Sequence, residues 1–97
     1  MYLKSVRIEA EETNGYEFKD GALYRNAVAG QFLDRTRATR NAGDYKIYID
    51  SFPSAALPYS VYRIADTKTG KVYTFELTHY TSFGVLDKIV AELKGDY

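Results

Sequence analysis

The densest group of residues able to do chemistry is the run R-T-R-A-T-R, which places Arg35, Arg37 and Arg40 within six positions. Guanidinium groups interleaved with the Thr36 and Thr39 hydroxyls are suited to gripping phosphates. Tyr45 or Tyr48, just downstream beside Lys46, could stack a base. The same cations closing a helix would complement the partial negative charge of its last carbonyls, at about 0.3–1 kcal/mol each. Thirteen basic and thirteen acidic side chains cancel, so no global field draws nucleic acid or an anionic membrane surface. Nucleic-acid binding through Arg35, Arg37 and Arg40 is therefore the alternative reading of this chain, and not the first.

Catalytic chemistry finds little support. His79 is the only histidine. Tyr80, Thr81 and Ser82 beside it supply hydroxyls, but no orienting acid stands at the spacing of a triad. No second histidine and no cysteine is present to complete a zinc set, and the absence of cysteine also removes thiolate nucleophiles and disulfides. Glu9 and Glu11 share one side of an alternating stretch where a hard cation could find oxygen ligands, but a solvated strand face explains them equally well. The T-G-K at Thr69–Lys71 lacks the upstream glycine and the following helix of a phosphate loop. The expectation is a non-catalytic protein with no cofactor and no metal.

Ten tyrosines and no tryptophan are the compositional oddity. Tyrosine gives a rigid contact surface with a polar tip, and with arginine it anchors many protein interfaces. It is also a good strand former. Alternation predicts Tyr45 and Tyr73 inward, with Tyr48 and either Tyr59 or Tyr62 outward. Tyr48, Tyr59 and Tyr62, with Arg63 and the Arg35, Arg37 and Arg40 cluster, are the candidate partner-binding residues.

The elements that must carry these residues are clearest toward the C-terminal end. Tyr73, Phe75 and Leu77 alternate with Val72, Thr74 and Glu76, the period of a half-buried strand. Tyr59–Ala65 is β-branched and aromatic, with Tyr62 and Ile64 opposite Tyr59 and Val61. Asp66–Gly70 joins the two as a glycine-ended hairpin turn. Val85, Leu86, Ile89, Val90 and Leu93 then recur at helical spacing, after a cap at Thr81 or Ser82 and before Gly95. This helix is expected to lie on the face bearing Tyr73, Phe75 and Leu77.

Upstream, Val6, Ile8 and Ala10 alternate with Arg7, Glu9 and Glu11 as a first strand, and Asn14-Gly15 marks a turn. Asp20-Gly21 fits a two-residue hairpin turn that sets Phe18 opposite Leu23, but Asp20 also fits a helix cap. Ala27 to about Arg37 reads as a helix with Val28, Ala29, Phe32 and Leu33 apolar, weakened by Gly30. Tyr45, Ile47 and Ile49 opposite Lys46, Tyr48 and Asp50 form a further strand. Pro53 and Pro58 make the segment after it a loop.

The outcome is one α+β domain over residues 1–97, a mainly antiparallel sheet of about five or six strands. A C-terminal helix packs on one face, and a second shorter helix lies near residues 27–37. No apolar run approaches the roughly 20 residues of a membrane span, and the charged start is unlike a signal peptide. These features lead to the expectation of a cytoplasmic protein-binding module. It would be of adaptor or inhibitor type, such as phages and mobile elements encode.

Overall fold

Four strands joined by short connections build the centre of the protein: β6 (Arg37–Ala42), β7 (Tyr45–Phe52), β8 (Tyr59–Asp66) and β9 (Val72–Thr78). The computed structural model describes residues 1–25, 37–78 and 84–95, with only the backbone at Arg25 and Arg37. Ahead of the meander come β1 (Tyr2–Leu3), β2 (Ile8–Glu9), β3 (Glu11–Glu12), β4 (Tyr16–Lys19) and β5 (Ala22–Arg25). The helix α1 (Gly84–Lys94) follows it. The five-stranded sheet has the order β3-β9-β8-β7-β6, and every pairing in it is antiparallel.

Alternation along these strands sorts the residues into two cores. Ile47, Ile49, Tyr62, Ile64 and Phe75 are buried on one face, with Tyr45, Tyr73 and Leu77 packed around them. The helix lays Val85, Leu86, Ile89, Val90 and Leu93 on that face, as its spacing predicts. Ile89 is fully buried, which contributes about 1.5–3 kcal/mol.

The opposite face carries Tyr48, Ala65 and Val72, and Tyr16, Phe18 and Leu23 of the β4–β5 hairpin pack on them. That hairpin turns at Asp20 and Gly21, whose φ values of 53° and 76° are the paired positive angles of a type I′ turn. Phe18 pairs with Leu23 in register, so between the two readings of this segment the hairpin forms. Its position on the sheet is fixed at the β8–β9 turn, where the Phe18 amide donates to the Gly70 carbonyl at 3.1 Å. Gly70 has φ of 79°, and the Asp66 carboxylate caps the same turn by accepting from the Lys68 and Thr69 amides.

Two expectations change. The helix expected near residues 27–37 falls mostly on residues 26–36, which lie outside those described. Its last position, Arg37, instead opens β6, which pairs with β7 over six residues from Arg37↔Asp50 to Ala42↔Tyr45. Ladder hydrogen bonds and the burial of Ala42 in the helix-side core outweigh the helix propensity of alanine and arginine. Near the start, Val6 and Arg7 do not continue a strand but sit in the turn between β1 and β2.

Candidate functional site

The arginine cluster loses its expected geometry once β6 is a strand. Residues three apart are neighbours on a helix, but on a strand they fall on opposite faces. Positions 37 and 40 therefore fall on opposite faces of β6. Arg40 is exposed, and its Nη1 donates to the Thr39 carbonyl at 3.0 Å. Arg35 lies outside the described residues, as do His79, Thr81 and Ser82.

Two of the three candidate docking tyrosines are buried. Tyr62 is 5% exposed and stacks on Phe75 with ring centroids 4.9 Å apart, inside the helix-side core. Tyr48 does lie on the other face, as alternation predicts, but it is only 7% exposed because the β4–β5 hairpin covers that face. Lys46 reaches over the Tyr48 ring at 5.4 Å. Tyr59 remains half-exposed at the far end of the β7–β8 hairpin, stacked on Phe52 at 4.5 Å. Beyond this pair the loop carries Leu57, at 68% the most exposed large apolar side chain among the described residues.

Arg63 does not face solvent as a docking cation. Its Nη1 donates to Asp50 Oδ2 at 2.7 Å, with the two side chains 17% and 8% exposed. Its guanidinium lies over the Tyr16 ring, 5.2 Å from the centroid. The pair ties β7 and β8 together, and the Tyr16 contact extends it to the β4–β5 hairpin. Arg63 Nε is buried with no hydrogen-bond partner among the described residues. One tyrosine has a shifted titration. Burial, then the nearby Asp66, Tyr73 and Asp44, push the Tyr45 hydroxyl above its ordinary value of 10.0.

What remains open are the two edges of the sheet. On one side β6 is paired only to β7 among the described residues, and Ala38, Thr39, Arg40 and Asn41 are all exposed. On the other side β3 covers just part of β9, pairing Glu11 with Thr74 and Glu12 with Tyr73. A groove of about 560 Å³ opens next to this short ladder, with Glu9, Glu11, Glu12 and Glu76 around Phe75. The reading from residue types placed Glu9 and Glu11 on a solvated strand face and did not foresee this groove. It is assembled from segments more than sixty positions apart, and no local pattern announces it.

Compared with protein-family models, curated proteins and solved structures, the chain matches none, so the functional reading rests on its own geometry.

Proposed function

We propose that this chain is a small non-catalytic protein-binding domain of adaptor or inhibitor type, docking a partner through the open edge at β6. One observation carries this reading: a six-residue strand that is at the sheet edge among the described residues, with four consecutive exposed residues that include Arg40. The helix and the β4–β5 hairpin occupy the two faces of the sheet. An edge strand presents unpaired amide and carbonyl groups, the usual template for adding a partner's strand. Arg40 selects against a basic partner and favours an acidic one. Tyr59 supplies an aromatic contact at the neighbouring hairpin tip. Tyr48, Tyr62 and Arg63 hold the fold, and they support the surface from beneath.

The test is capture of partners from the native host with the unmodified chain and with Arg40→Glu. The expected result is a defined partner that is lost from the variant while its circular dichroism is unchanged. Retention of that partner by Arg40→Glu would refute the β6 reading. The nucleic-acid alternative through Arg35, Arg37 and Arg40 draws its support from the exposed Arg40, which joins no ion pair among the described residues. It requires an affinity for an oligonucleotide that falls steeply with salt and is abolished by Arg37→Ala with Arg40→Ala.

A further inference from the structure

We propose that the free end of β9 is a second strand-addition site, built for an extended segment in which basic and apolar residues alternate. This inference concerns the opposite edge of the sheet and does not rest on the β6 reading. The backbone makes the opening. β3 pairs with β9 only at Tyr73 and Thr74, and the chain next to Glu11 turns away, since the Ala10 amide donates to the Met1 carbonyl at 2.8 Å. From Phe75 to Thr78 the outer side of β9 has no strand partner among the described residues. Four residues give an open ladder roughly 13 Å long.

Side chains on the two faces of this stretch set the chemistry of the guest. Glu76 shares one face with Glu11, which pairs with Thr74, and both rim the groove. Glu9 in this groove is partly compensated by the Met1 amino group at 3.4 Å, but Glu11, Glu12 and Glu76 join no ion pair among the described residues. Leu77 belongs to the other face, beside an adjoining groove of about 300 Å³ that shares Ile8 with the first. Val6, Ile8 and Val85 line that groove, with Arg7 and Lys88 at its rim. A strand laid along β9 sends successive side chains to opposite faces. Every second residue thus meets the carboxylates of Glu11 and Glu76, and those between meet an aliphatic wall with a cationic rim, with Glu12 at the edge of that face. In strand addition the main chain supplies affinity and such alternate pockets supply specificity.

A fluorescein-labelled peptide of alternating lysine and valine, six residues long, is the probe. Anisotropy should show it binding about tenfold more tightly than a peptide of the same composition with lysines and valines in separate blocks. Glu76→Lys, and separately Glu11→Lys, should weaken it about tenfold, since these exposed charges reverse from attraction to repulsion. Amide signals of Phe75 to Thr78 should shift and gain protection from hydrogen exchange. Equal binding of the block peptide, or no effect of Glu76→Lys, would overturn the proposal in favour of plain charge attraction. Absence of binding at about 1 mM peptide, the weak end of specific recognition, would overturn it outright. If the same β9 amides become protected with rising protein concentration and no peptide, the occupant is a second copy of this chain and the proposal is wrong.

Discussion

Replacing Asp50 with alanine should cost this fold far more than replacing Asp50 and Arg63 together. The two charges sit 2.7 Å apart with little solvent on either side. At an effective dielectric of about 20 their attraction is about 6 kcal/mol, and desolvating each ion returns several kcal/mol of that. The net worth of the pair is therefore small, but removing Asp50 leaves the Arg63 guanidinium without its carboxylate. Arg63 already holds an Nε without a partner among the described residues, so it has few ways to compensate. Asp50→Ala should lower the unfolding free energy by about 2–4 kcal/mol, a large share of the roughly 5–15 kcal/mol of a typical domain. The double variant Asp50→Ala with Arg63→Met should recover most of this, giving a coupling energy of about 2 kcal/mol or more. Urea titrations of the four proteins in the cycle, with unchanged slopes, measure it. A double variant whose loss equals the sum of the two singles would show that the charges do not depend on one another, and the reasoning would fail.

Gly70→Ala should destabilise by about 2–3 kcal/mol and Gly21→Ala by about 1 kcal/mol. Both have positive φ, but a Cβ at Gly70 would stand 3.0 Å from the Phe18 carbonyl oxygen, whereas at Gly21 it meets nothing within 4 Å. Equal losses in urea would mean that the β4–β5 hairpin is not seated at Gly70. Ile89→Ala should cost about 2–5 kcal/mol through lost burial and a cavity, and Lys88→Ala on the exposed side of the same helix less than about 0.5 kcal/mol. Thermal unfolding of the two variants distinguishes them. For Tyr45, whose hydroxyl titrates above its unfolded value, the linked stability is fully present below about pH 10 and is lost as pH rises through the folded value. Tyr45→Phe should flatten that alkaline decline in urea midpoints taken from about pH 9 upward, and an unchanged decline would assign it to other groups.

The elements that were legible are those whose signals are local. The turn glycine at position 70, the two-residue step at Asp20 and Gly21, and the stripe from Val85 to Leu93 each identify their element within a dozen residues. What could not be read was the layer above the sheet. Alternation correctly separates Tyr48 from Ile47 and Ile49, but solvent and a covering hairpin look alike from the strand itself. Tyr48 therefore read as outward, although Tyr16, Phe18 and Leu23 close over that face. The stretch from Arg37 to Arg40 was hidden in a different way. Arginine, alanine and threonine say little about element type, and the pairing of β6 with β7 decided it from outside the segment. Among the candidate docking residues, Arg40 and Tyr59 keep a surface role, and Tyr48, Tyr62 and Arg63 serve the interior.

Glu92, near the end of the helix, accepts from the Lys4 amide at 2.7 Å and from the Ser5 hydroxyl at 3.0 Å. During synthesis this contact orders events in time. The meander from Arg37 to Thr78 can close turn by turn as it emerges, because each strand pairs with the one made just before it. Lys4 and Ser5 are made early, but the carboxylate that holds them arrives almost ninety residues later. The first turn of the chain waits, and its locking reports that the helix has been made and has docked. A nascent chain stalled before Glu92 should therefore carry a formed sheet with an unsecured β1–β2 hairpin, open to proteases until the last helical turn is complete.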